Sequence, residues 1–149
     1  MLSIRELDDY LKSSGADYEI LKHDKPILTT QDAKQYFDTD RAAPVLVVQT
    51  ERGLMILIVS ARRGRLDFKE LAAKLGFAKM KLADGKKAEK AAGYPAGAMP
   101  LIGISLPCIF DTGLLELNYI YGGSGDELHT LKIAPEDVER LNQVEFRID

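Results

Sequence analysis

The chain has 149 residues, of which 46% are hydrophobic and 29% charged, with a formal net charge of −3. That length fits one domain with its own core, and the balance is that of an ordinary globular protein. It argues against a spanning helix, because no apolar run reaches the roughly 18 residues needed, and against a general nucleic-acid coat, which would be basic.

The N-terminus "MLSIRELDDYLKSSG" is charged and helical in period, unlike a secretory signal, so a cytoplasmic protein is expected. Ser3 and Glu6 have capping-box spacing. Ile4, Leu7, Tyr10 and Leu11 repeat at helical spacing, and Gly15 ends the run. Residues 17–23 read as a short strand and residues 29–37 as a helix capped by Thr29 or Thr30. "PVLVVQT" (44–50) and "GLMILIVS" (53–60) form the surest hairpin. Their apolar residues are nearly continuous, so both faces are expected to be covered.

Asp67 and Glu70 cap a helix closed by Gly76. "AKMKLA" is a short strand, and residues 84–93 form a polar helix. "YPAGAMPLIGISLP" (94–107) reads mainly as a shaped loop, since glycines and prolines punctuate it. "CIFD" is a strand ending at Asp111, and two more strands flank "GGSGDE". Pro135 suits the first turn of a helix, and "QVEFRI" closes the chain as a strand. Helices fall between hairpins without regular βαβ alternation, so the expected class is α+β. Its sheet should be curved, mixed, largely antiparallel and barrel-like, with helices outside.

Cys108 is the lone cysteine. It cannot form an internal disulfide, and its apolar neighbours mark a buried thiol. No Cys/His cluster is spaced for zinc, so no metal or cofactor is expected. The locally basic stretches "ARRGR" and "AKMKLADGKKAEK" read as solvated surface. His23 and His129 have no acid partner at a fixed spacing and read as structural.

The loop "GGSGDE" fails the specific glycine motifs. It lacks Gly-Lys followed by Ser or Thr, Leu128 stands where G-x-G-x-x-G needs glycine, and Asp126 stands where G-x-S-x-G needs one. It is either a plain hairpin turn or a loop whose bare backbone approaches a ligand. "GYPAGAMPLIG" (93–103) poses the same choice, with Gly97 and Pro100 fixing its shape.

Taken in order, five segments resemble the YbaK/ProX family of single-domain aminoacyl-tRNA deacylases, which are related to the editing insertion of bacterial prolyl-tRNA synthetase. They are "LKHDKPILTTQDAKQYF" at His23, Thr30 and Ala33; "SARRGRLDFKELAAKLG" at Arg65, Leu66 and Asp67; and "GYPAGAMPLIG" at Gly93, Tyr94, Gly97, Pro100 and Gly103. "IFDTGLLEL" at Asp111 and "YGGSGDELHTLKIAPEDVERL" follow.

The resemblance implies one deacylase domain over residues 1–149. It implies hydrolysis of the ester of a mischarged tRNA, with Cys or Ala on a proline-type tRNA as known substrates of the group. The implied partners are the aminoacyl-tRNA 3′ end and an aminoacyl-tRNA synthetase, with no membrane and no cofactor. Substrate-binding residues would be His23, Thr30, Gly97, Pro100, Gly103, Asp111, Gly122, Gly123 and Ser124. Backbone donors to the ester are expected at Gly122, Gly123 and Ser124, and Gly123→Val is expected to abolish activity while sparing the fold.

The family's lysine at the start of the "PVLVV" strand is missing, with Pro44, or Ala43 one residue away, in its place. The Pro-Leu-Ile-Gly spacing after Met99 is also one residue longer than the usual Pro-x-Gly. Arg41, Lys81 and Lys132 are the candidates to replace the missing charge. Without that lysine, two other readings stand beside the deacylase: a non-catalytic module binding an aminoacyl-tRNA end or a protein, and a hydrolase of some other small acyl ester.

Overall fold

The computed structural model describes residues 1–149, apart from the side chain of Thr30. Helix α1 (Ile4–Ser13) starts at a complete capping box: the Ser3 hydroxyl accepts the Glu6 N–H, and the Glu6 carboxylate accepts the Ser3 N–H. Strand β1 (Tyr18–Lys22) follows, then a single helical turn α2 (Thr30–Ala33). Thr29 is its cap, accepting the Asp32 N–H at 3.1 Å. The helix expected over 29–37 stops early. Tyr36 is held out of register by a 2.7 Å hydrogen bond to Asp24 and by a tilted contact with the His23 ring, centroids 4.8 Å apart.

The hairpin appears as β2 (Val45–Thr50) and β3 (Gly53–Ile58). Helix α3 (Phe68–Leu75) is capped by Asp67 and closed by Gly76 in the left-handed region. Then come β4 (Met80–Leu82), α4 (Gly85–Ala92), β5 (Cys108–Asp111), β6 (Ile120–Gly123), β7 (His129–Ile133), α5 (Pro135–Leu141) and β8 (Val144–Ile148).

Five strands form one sheet in the order β4-β2-β3-β5-β8, and three form another in the order β1-β7-β6. Four of the six strand pairs are antiparallel; β3–β5 and β5–β8 are parallel. The sheets do not close into the expected barrel. The outer edge of β6 meets the larger sheet through one bridge, Ala42 with Tyr121, and beyond that it is covered by an irregular segment around Leu101 rather than by a strand.

Both faces of the larger sheet are covered, as the continuous apolar runs of β2 and β3 imply. Val47, Ile56, Ile58, Cys108 and Phe110 face a core with Leu7, Leu11 and Val138. Val48, Met55, Leu57 and Ile109 face Leu71 and Phe77 on the other side. Burial pushes the Cys108 thiol up to about 12, with Arg147 opposing weakly, so it is protonated and inert.

Candidate functional site

The phase of the small sheet decides where its polar backbone points. The His23 N–H bonds the Leu128 carbonyl at 2.9 Å, and the Ala134 N–H bonds the Asp17 carbonyl at 3.0 Å. In an antiparallel ladder such pairs alternate, so Thr130 and Lys132 turn their backbone groups to β1, whereas Leu131 and Ile133 turn theirs to β6. Their partners Gly122 and Ile120 therefore bond β7, and Tyr121 and Gly123 face the opposite edge. Two hydrogen bonds on that edge agree: Ala43 N–H to Tyr121 O at 2.8 Å, and Leu101 N–H to Gly123 O at 3.0 Å.

The Gly123 N–H falls between these two bonds. There the segment 41–44 and the segment 99–101 diverge, and no acceptor among the described residues closes it. A cleft of about 340 Å³ opens at this point. Ala42, Ala43 and Pro44 form one wall, Gly97, Ala98 and Met99 the other, with Gly122 and Gly123 between them. The two glycine-rich loops thus meet at one site.

Two glycines are required by close packing. A Cβ on Gly123 would overlap the Met99 carbonyl oxygen and sit 2.9 Å from its carbon and 3.3 Å from Pro100 Cα. A Cβ on Gly122 would overlap the Leu101 side chain. Gly97 differs, because a Cβ there meets Leu28 Cδ2 at an ordinary 3.7 Å.

Thr130 lines the cleft, and His23 stands behind it. His23 Nδ1 lies 3.2 Å from the Lys25 carbonyl, which can only accept, so Nδ1 carries the proton. Nε2, 2.8 Å from Thr130 Oγ1, then accepts the hydroxyl proton and leaves the Thr130 oxygen as an acceptor. His129 also lines the cleft, and its buried Nδ1 lies 3.3 Å from Asp126 Oδ1 without the alignment of a hydrogen bond. Sequence reading found no acid partner for His129. The Asp-x-x-His spacing across the turn was the available signal. The Leu128 N–H, helped by His129, holds the Asp126 carboxyl below the usual aspartate range.

The charged residues on the cleft wall are Asp126 and Glu127; no lysine or arginine lines it among the described residues. The three candidate replacement cations lie elsewhere. Arg41 and Lys132 pack on the ring of Tyr119, at 4.4 and 4.3 Å from its centroid, and Lys81 is exposed on β4.

The other expected site residues are dispersed. Pro100 is buried beside Gly123. Ser124 is buried, and its hydroxyl is committed to the His129 carbonyl at 2.7 Å and to the Asp126 backbone. Gly103, with φ of +110°, packs against the Tyr94 hydroxyl, which accepts the Leu2 N–H. Asp111 lies in a separate depression, where Arg63 grips both carboxylate oxygens at 3.0 and 3.1 Å. The side chain of Thr30 lies outside the described residues.

The sequence pattern of the aminoacyl-tRNA editing domain matches residues 24–141. The chain belongs to that family. It is the YbaK family that the five segments resemble. The editing-domain fold recurs in solved structures. A candidate trans-editing enzyme for prolyl tRNA synthetase is 21% identical, with a TM-score of 0.79 over 98% of each chain. A hypothetical protein, APE2540, is 20% identical, with a TM-score of 0.81 over 95% of this chain and 96% of its own. A candidate signal transduction protein from Marinobacter aquaeolei VT8 is 17% identical with a TM-score of 0.65; this chain covers 30% of it. At these identities the likeness is one of fold.

Proposed function

We propose that this editing domain is a trans-editing deacylase. It hydrolyses the ester joining a wrong, small amino acid to the 3′ end of a tRNA, with cysteine or alanine on a proline-type tRNA as the first substrates to test. Residues 1–149 act as one domain, in the cytoplasm, alongside the synthetase whose errors it clears. The observation that carries this reading is the unpaired Gly123 N–H at the floor of a small cleft whose charged residues are acidic.

An aminoacyl ester carries an α-ammonium and a polarised carbonyl. Asp126 and Glu127 suit the ammonium. The Gly123 N–H suits the carbonyl oxygen, and a preorganised donor of this kind lowers the barrier by about 3 kcal/mol as the oxyanion forms. Water attacks the carbonyl carbon from the side of Thr130 and His129. The acceptor oxygen of Thr130 orients it, and His129 takes its proton. The tetrahedral centre collapses, the ester bond to the tRNA 3′ oxygen breaks, and that oxygen receives the proton. Fit to the cleft discriminates weakly, because each methylene is worth only about 1–3 kcal/mol.

The test is a panel of mischarged tRNAs incubated with the protein. Hydrolysis faster than the spontaneous rate, greatest for small amino acids, is expected. No acceleration with any substrate would sink the reading. The cation-free cleft favours a second reading, a module that binds the aminoacyl end without turning it over. Tight binding with no hydrolysis on the same panel would select it.

A further inference from the structure

The surface concerned starts at the cleft and runs outward from it, and the deacylase reading supplies only the identity of the RNA. Phe37 and Tyr121 both line the cleft, and their rings stack with centroids 4.5 Å apart and planes 24° apart. Tyr119 meets Tyr121 edge-on at 5.5 Å and 84°. Arg41 and Lys132 both contact the Tyr119 ring, and the Arg41 guanidinium is also 3.4 Å from the Tyr119 carbonyl. All five residues are half-buried. A run of aromatic rings therefore leads from the cleft outward and ends in two cations.

We propose that this run, Phe37–Tyr121–Tyr119 with Arg41 and Lys132, binds the single-stranded 3′-terminal nucleotides of the RNA. Bases stack on aromatic and guanidinium planes, and the two cations meet backbone phosphates.

The direction follows from charge. Asp126 and Glu127 stand on the cleft wall and repel phosphate, whereas Arg41 and Lys132 stand on the opposite flank of Tyr121. Carboxylates are near this flank too, with Glu19 paired across the ladder from Lys132 and Asp40 next to Arg41 in the chain. Both cations nevertheless contact the ring rather than either carboxylate among the described residues. The terminal adenosine is bonded directly to the ester, so its base falls beside the cleft, where Phe37 and Tyr121 stand. A charge-only patch for an acidic protein would not need the ring stack to reach into the cleft.

The probe is a fluorescein-labelled RNA oligonucleotide ending in CCA, with binding read by anisotropy over a series of salt concentrations. A labelled polyglutamate peptide is the comparison. Arg41→Ala, Lys132→Ala and Tyr119→Leu are each expected to weaken RNA binding roughly tenfold. Each of the two cation variants should also flatten the slope of log affinity against log salt by about 0.7. Lys81→Ala, on β4 and away from the run, should match the wild type in both readouts. Thermal melts accompany every variant, and Arg41→Lys is expected to restore the salt slope but not the full affinity.

An unchanged slope in Arg41→Ala and Lys132→Ala would overturn the proposal. So would failure of the wild-type protein to bind the oligonucleotide, or equal binding of the peptide. RNA binding that depends on these residues, in a protein that hydrolyses no aminoacyl ester, would keep this inference and remove the deacylase reading. Hydrolysis by a protein whose RNA affinity ignores them would do the reverse.

Discussion

Gly123→Ala is the most direct test of the site. The added methyl overlaps the Met99 carbonyl oxygen and lies 2.9 Å from its carbon. The obstacle is backbone, so no side-chain rotation relieves it. The segment 99–101 must move by an ångström or so, which breaks the 3.0 Å bond from the Leu101 N–H to the Gly123 carbonyl. Overpacking of this kind destabilises by about 1–3 kcal/mol, and an orphaned buried carbonyl by a further 1–3 kcal/mol. A loss of roughly 2–6 kcal/mol is expected, read as a shift of the urea midpoint at unchanged slope. The structure therefore corrects the expectation that Gly123→Val spares the fold, because its larger side chain meets the same carbonyl. Deacylation by the folded fraction should fall at least a hundredfold, because an ångström of misplacement at a reacting centre has about that effect. Gly97→Ala is the control: its methyl meets only Leu28 Cδ2 at 3.7 Å, so stability should hold. A Gly123→Ala protein as stable and active as the wild type would refute the close approach of the two loops.

Ser124→Ala removes the bond from the buried Ser124 hydroxyl to the His129 carbonyl and should lower stability by about 1 kcal/mol in thermal melts. Asp111→Asn breaks the buried pair with Arg63 and should destabilise by about 3 kcal/mol near neutral pH. Burial alone would raise the Asp111 carboxyl, but Arg63 and the N–H groups of Ser60 and Gly113 outweigh it and hold it below the usual range. Its stabilisation is therefore present above the ordinary aspartate pKa of about 3.9 and is lost as pH falls through the lower folded value. The gap between wild type and Asp111→Asn in denaturant melts should close on acidification; a gap that persists at low pH would contradict the pairing. Pro44→Lys places a cation at an exposed position on the cleft wall. It should lower KM for a charged tRNA severalfold, and an unchanged KM would show that the position does not face RNA.

Local chemistry made most elements legible. The Ser3 box, the Asp67 cap and the Gly76 stop each act within one turn, so spacing alone reveals them. The β2–β3 hairpin is equally local. The partition into two sheets was not legible, because it depends on what covers the outer edge of β6, residues far away in sequence. The site divides in the same way. Gly97 and Gly123 were found by composition, but which backbone N–H is unpaired depends on ladder phase. Asp111 is the one acid among the substrate-binding residues that the resemblance implies, yet its carboxylate is gripped by Arg63, a partner 48 residues earlier. His129 was set aside because its acid, Asp126, approaches only once the turn between β6 and β7 closes.

Pro44 brings no cation to a cleft wall whose charged residues are Asp126 and Glu127. A cleft holding both a lysine and these carboxylates would attract phosphate and ammonium to the same few ångströms. Here the cations stand at Tyr119, away from the cleft lining, and the carboxylates stand on the cleft wall, where both are exposed. On the proposed reading the cleft wall meets the α-ammonium, and RNA phosphate is left to the rim. Exposed phosphate contacts are screened by salt, and the loss of affinity grows with the number of phosphates engaged. Raising salt should therefore raise KM for charged tRNA steeply and leave kcat nearly constant. With two cations on a single strand the slope of log KM against log salt should be about 1.4. Steady-state kinetics at four or five salt concentrations measure both terms. If kcat falls with salt as steeply as kcat/KM, the charge acts at the reacting ester, and the division of labour between wall and rim is wrong.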